Sequence, residues 1–271
     1  MANIDIFCTT IKYFDVLEKL PSYIQPLGLG NENYPKHWLT EKNGVNISNL
    51  NKYYGEISGF YWIWKNILPS KNKDSWIGNC HYRKLWLNDL YDKKQKFSTK
   101  SLYSNLLNPD NQIFNECEVV QVQPTILKKE SLLQQFKKVH KNKILEDSIN
   151  FLPSTEREKF KNYLNENKIC GLNMIITKIP FFNEYCESLF PWLEKCFEYC
   201  KNKNLLNEYN ARLPAFLAER YTSYWFSQNK KSKFLSYARL GGFMLSNKVN
   251  KFINPTKIPF TFRMYPTIHH Y

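Results

Sequence analysis

Residues 75–86 read SWIGNCHYRKLW, a short apolar run that ends on His81, Tyr82 and Arg83. The run has the character of a buried strand, so the polar triplet falls where the strand stops. Arginine cannot hold a cation, but its planar fork pairs bidentately with phosphate. Histidine can ligate a metal or donate to phosphate. Together they suit an anionic ligand. The competing reading is that Arg83 bridges to a carboxylate at a sheet edge. A second constellation lies near the C-terminal end. Leu213, Phe216, Leu217, Tyr221 and Tyr224 form an apolar stripe at helical spacing, and Arg220 falls inside it. A buried arginine is costly unless it meets a carboxylate or an anionic ligand. Glu219 stands beside it at the stripe's edge. Cys196 and Cys200 sit four apart with no further ligand near them in sequence, so ordinary thiols are expected there and not a metal pair.

The elements that must carry these groups alternate between strand and helix patterns. Strands are predicted at residues 4–10, 23–30, 74–80, 117–124 and 172–178. Helices are predicted at 55–68, 129–140, 180–200 and 211–228, with Pro191 expected to bend the third. Such alternation predicts an α/β sheet covered on both faces, with the strand ending near Cys80 in its middle. Ligands of open α/β sheets bind at the carboxyl ends of strands, where His81, Tyr82 and Arg83 fall.

Composition sets the outer bounds. A chain of 271 residues with 43% hydrophobic residues can bury one large core. Its formal net charge of +14 favours anionic partners: nucleic acid, acidic lipid or phosphorylated substrates. A lysine-rich solvated surface is the plainer explanation of the same charge. Seven scattered cysteines argue against a disulfide framework. The N-terminal MANIDIFCTT reads as a first strand and not a signal peptide, and no apolar run reaches the ~20 residues needed to cross a bilayer. A cytoplasmic protein is expected.

Four blocks occur in order: NISNLNKYYGEISGFYWIWKN, WIGNCHYRK, LNMIITKIPFFNEYCESLF and RLPAFLAERY. Over roughly residues 4–225 they resemble a bacterial family of capsular-polysaccharide and lipopolysaccharide glycosyltransferases, itself similar to GT-A sugar transferases. The resemblance implies a GT-A-like, Rossmann-type nucleotide-sugar-binding fold: α/β, with a mixed central sheet flanked by helices. It implies one domain over 1–271, with about 1–125 mainly on the donor side and about 126–271 supplying the acceptor side and closing helices. Many GT-A enzymes carry Asp-x-Asp where His81-Tyr82-Arg83 stands here. The departure suggests that side-chain cations replace a metal. No cofactor is then required; should a divalent cation (Mn or Mg) be needed, His81 is the first ligand to test.

The resemblance also implies roles. Glu219 is the counterpart of an acidic motif that deprotonates the acceptor hydroxyl, with Arg220 beside it; the alternative is a structural ion pair of Glu219 with Arg220 or Arg212. The donor set comprises Thr9, Thr10 and Lys12 after the first strand, Asn46, Glu56, Trp64 and Lys65 of the first block, His81, Tyr82, Arg83, and Asn173. Trp62 and Trp64 read as core or cleft walls in preference to stacking platforms. The implied partners are a nucleotide-diphosphate sugar, UDP-linked by expectation, and a glycan or lipid-linked glycan acceptor. An anionic membrane inner face is a further expected contact, and nucleic acid is not. Two readings compete: a basic nucleic-acid-binding module, and a catalytically inactive scaffold of glycan assembly. The aromatic residues fall on core-type stripes and are not interleaved with arginines, which weighs against the first.

Overall fold

A computed structural model describes residues 2–89 and 99–240. The last part of the expected 1–271 domain, residues 241–271, lies outside the described residues. The strands are β1 (Ile4–Thr10), β2 (Ile24–Gly28), β3 (Leu39–Thr40), β4 (Trp76–His81), β5 (Lys84–Trp86) and β6 (Val119–Val122). They continue with β7 (Thr125–Ile126), β8 (Lys168–Ile169), β9 (Ile175–Lys178), β10 (Ser232–Leu235) and β11 (Tyr237–Arg239). Nine of them form one mixed sheet in the order β10-β6-β9-β4-β1-β2-β3, with β5 joining β4 to β11. β4 is therefore central, as the apolar run WIGNC requires. β3, β2, β1 and β4 run parallel, whereas β9 runs antiparallel to both β4 and β6. The carboxyl ends of the parallel strands and the amino end of β9 thus meet at one edge.

Alternation along each strand loads both faces. Ile4, Ile6 and Cys8 of β1 point into one apolar cluster with Trp76, Cys80 and Trp86, while Phe7 joins the other. That second cluster is built with the helices Ile57–Asn66, Leu132–His140, Ser154–Leu164, Ile179–Asn202 and Leu213–Asn229. Ser131 and Gln134 close a capping box at the start of Leu132–His140. The helix Ile179–Asn202 continues through Pro191.

The predicted elements differ from the observed ones where backbone or polarity hides the pattern. The expected strand at 172–178 begins only at Ile175, because Leu172 (φ 77°) and Asn173 (φ 48°) are left-handed. The helix Ser154–Leu164, sequence STEREKFKNYL, buries only Phe160, Tyr163 and Leu164, so its periodic signal is weak. β10 and β11 are too short to register as strands.

Candidate active site

A cleft of about 460 Å³ opens at the edge where the parallel strands end. Its lining comes from distant parts of the chain: Thr9 to Ile11 at the end of β1, Gly55 and Glu56 before the helix Ile57–Asn66, and His81 to Lys84 at the end of β4. Leu172 and Asn173 before β9, Lys52, Arg212 and Glu219 on the helical wall, and Arg239 of β11 also line it.

The floor is a row running across four strands. Thr9 of β1 is in register with His81 of β4, His81 with Lys84 of β5, and Lys84 with Arg239 of β11. Residues in register share a face, with neighbouring strands about 4.8 Å apart. His81 and Lys84 are brought together because Tyr82 and Arg83 form a two-residue turn between β4 and β5. Arg83 is left exposed at its tip, its guanidinium 5.4 Å from the centre of the Tyr82 ring. Its side chain makes no hydrogen bond or ion pair among the described residues, so the carboxylate bridge considered above is not formed there.

The His81 ring is fully used. Nε2 lies 2.6 Å from the Leu172 carbonyl and donates to it, and Nδ1 lies 3.1 Å from the Thr9 hydroxyl. Burial pushes its pKa down, although Glu56 opposes this. With its proton on Nε2, the neutral ring donates to Leu172 and accepts at Nδ1 from the Thr9 hydroxyl, whose single proton is shared with the Cys80 carbonyl 3.1 Å away. With both nitrogens engaged, His81 has no lone pair aimed at a cation. Among the described residues, no group of three His, Cys, Asp or Glu is placed to hold a metal ion. The two carboxylates of the cleft are each tied to an arginine. This donor set does not suit a divalent cation.

The strained turn at 171–173 ties the walls together. A leucine in the left-handed region costs of the order of 1–3 kcal/mol and persists only where its surroundings hold it. Here the Leu172 N–H donates to Glu219 Oε1 (2.6 Å), and Asn79 Nδ2 donates to the Asn173 carbonyl (2.7 Å). Asn173 Nδ2 donates to Glu56 Oε1 (2.8 Å), and Thr222 Oγ1 lies 3.2 Å from Asn173 Oδ1.

Each carboxylate has its own arginine. Arg212 reaches Glu56 Oε2 at 3.0 Å. Gly55 makes room for this, since a Cβ there would lie 2.4 Å from the Arg212 guanidinium. Burial would raise the Glu56 pKa, but His81 when it carries a second proton, the Arg212 charge and the Asn173 bond reverse this, holding it below 4.5. Arg220 reaches Glu219 Oε2 at 2.8 Å from a buried position, and also donates to the Phe216 carbonyl and to Gln135 Oε1. Arg220 itself does not line the cleft; it holds Glu219 from behind.

Of the residues expected from sequence, Thr9, Thr10, Glu56, His81, Tyr82, Arg83, Asn173 and Glu219 line this one cleft. Arg220 stands behind the cleft wall, and the other four lie elsewhere. Asn46 is folded onto its own loop, bonding Gly44 and Ser48. Trp64 donates to Asn183 and stacks on Phe190, with Lys65 over its ring. Both stand two turns along the helix from Glu56, a rise of about 12 Å. Lys12 is exposed and outside the lining. The sequence reading missed Lys84, Arg212 as the partner of Glu56, and Arg239. Lys84 is the next residue in the same stretch, but the turn Tyr82-Arg83 carries none of the Gly or Asn signals that mark a hairpin.

With this geometry in view, comparison with known proteins gives two findings. The sequence signature of a family described as a domain of unknown function, DUF4422, matches residues 5–230. The chain belongs to that family. The DUF4422 span contains every cleft residue named above except Arg239. No curated protein matches the chain. Among solved structures, the apo form of WbbM, a bifunctional glycosyltransferase, is similar with a TM-score of 0.68 at 16% identity. The alignment covers 89% of this chain and 46% of the WbbM chain, so this chain spans about half of that protein's length. At this identity the likeness shows the fold: the DUF4422 chain is α/β and GT-A-like, with a mixed central sheet flanked by helices.

Proposed function

We propose that this chain is a glycosyltransferase that moves a sugar from a nucleoside-diphosphate sugar to a glycan or lipid-linked glycan acceptor of a bacterial surface polysaccharide. One arrangement supports this most. A cleft at the carboxyl ends of parallel strands gathers the cations Lys52, Arg83, Lys84, Arg212 and Arg239 around the carboxylates Glu56 and Glu219. Positive charge in excess suits a diphosphate that gains charge as it leaves, and fixed cations act there without reorganisation. Thr9 and Thr10 at the end of β1 receive the nucleoside side of the donor. Glu219 takes the proton of the acceptor hydroxyl, and Arg220 is its positioning residue. Both Glu219 oxygens already accept a hydrogen bond, but each carboxylate oxygen keeps a second lone pair. Neutralisation by side chains makes a divalent cation unnecessary, so transfer persists in chelator. Among the described residues no helix is long and apolar enough to cross a membrane; an anionic membrane surface reaches this basic chain by charge.

A thermal-shift panel of nucleotides and nucleotide sugars tests the reading. A donor at one hundred times its dissociation constant adds ~2.7 kcal/mol of apparent stability, and transfer to a glycan acceptor then follows by product analysis. The reading fails if no nucleotide sugar stabilises the protein while single-stranded nucleic acid does so in a steeply salt-dependent way. Donor binding without any transfer or hydrolysis favours the inactive scaffold.

A further inference from the structure

The position of each cation in the cleft separates the ones that frame it from the one at its floor. Arg83 is exposed on the turn, and Arg212 stands at the half-open rim, paired with Glu56. Lys84 is different. It is partly buried between His81 and Arg239 on the cross-strand row and lines the cleft. It forms no hydrogen bond or ion pair with any described residue. Its strand partner in register is another cation, Arg239. Like charges directly opposite across two strands are destabilising, and a partly buried ammonium without a partner adds a desolvation cost. A fold tolerates such a lysine where an anion is to be met.

We infer that Lys84, beside Arg239 on the floor of the cleft, is the residue that holds the diphosphate group of the donor, and that Arg83 is not. This rests on the proposed transferase reading and moves the phosphate contact one residue along from the sequence-based choice of Arg83. The two differ by topology. The side chain of Arg83 leaves from the turn, whereas that of Lys84 leaves from a strand and faces the cavity in register with His81. The groups around it agree. Burial pulls the Lys84 pKa down, Glu219 and Glu56 oppose this, and Arg239 and Arg83 reinforce it. A diphosphate would supply the anion that neither carboxylate reaches.

The test is calorimetric titration of the full chain with UDP, GDP, ADP and inorganic pyrophosphate, alongside the parent nucleosides. With the best-bound of these probes, Lys84→Met should weaken diphosphate binding at least tenfold and leave nucleoside binding unchanged. Lys84→Arg should stay within about fivefold of wild type, and Arg83→Met within threefold. The melting temperature of Lys84→Met should hold or rise, because a partly buried ammonium without a partner is gone. A lowered melting temperature with diphosphate affinity intact would assign Lys84 a structural role and overturn the inference alone. So would a large loss in Arg83→Met with none in Lys84→Met. If the wild-type protein binds none of the probes, pyrophosphate included, the inference and the transferase reading fall together.

Discussion

Two carboxylate–arginine pairs stand in one cleft and are built in opposite ways. Glu56 and Arg212 are 156 residues apart, and the Arg212 side chain keeps 51% of its surface exposed. Glu219 and Arg220 are neighbours, and the Arg220 side chain keeps only 5%. Successive helical residues do not normally face each other. Arg220 manages the contact by turning back along its helix, bonding the Phe216 carbonyl as well as Glu219. The rim arginine can leave its carboxylate to meet a ligand at little cost. The buried arginine cannot, since its Nε already lacks a partner and its other nitrogens are committed. The first pair is suited to opening and closing, and the second to holding one carboxylate still.

Removing the proton acceptor should give the largest effect. Glu219→Gln keeps shape and still accepts a bond from Leu172 N–H, so transfer should fall by ~10²–10⁴ while donor affinity stays near wild type. Turnover, donor affinity and melting temperature measured on one preparation check this. A parallel loss of all three would make the pair structural, and near-normal transfer would remove Glu219 from the mechanism.

The arginines themselves should separate on stability. Arg220→Met strips a buried cation from Glu219 and leaves Gln135 unbonded, which should cost about 3–5 kcal/mol. Arg212→Met loses an exposed partner and should cost no more than about 1 kcal/mol. Urea unfolding compares them; equal losses would erase the distinction drawn between the pairs.

Acid should distinguish Glu56 next. Its folded pKa lies below the ordinary 4.5, so the stability it contributes is present above pH 4.5 and is lost as pH falls from there through the folded value. Glu56→Gln should flatten that part of the melting-temperature profile and no other.

A third carboxylate sharpens the comparison by lacking an arginine. Glu41 is fully buried; one oxygen accepts from Gly30 N–H at 2.6 Å and the other has no partner. Burial raises its pKa above 4.5, against the Gly30 bond and the nearby Ser58 hydroxyl. Raised in the folded state, it costs stability as pH climbs above 4.5. Glu41→Gln should therefore raise the melting temperature slightly at neutral pH and leave it unchanged at pH 4. A fall at neutral pH would mean that the carboxylate has a charged partner after all.

Much of this was legible beforehand, for identifiable reasons. Period-two and apolar runs marked β1, β2, β4 and β6, and those runs end on Thr9, Thr10 and His81. The stripe from Leu213 to Tyr224 marked Arg220 as buried and in need of an anion, which Glu219 supplies. Asn46, Trp64 and Lys65 of the first block do not line the cleft. Helical rise carries Trp64 and Lys65 away from Glu56, and the Asn46 loop folds on itself.

The sequence by itself determined the strand–helix alternation, the central place of β4 and the burial of Arg220, because each depends on local periodicity and the cost of burying charge. Tertiary structure alone decided that Lys84 lies beside Arg239, that Arg212 reaches Glu56, and that a left-handed Leu172 links His81 to Glu219. These contacts join residues separated by 47 to 156 positions. Register across a sheet and the close approach of two loops set them, and neither leaves a trace in the neighbouring residues of the chain.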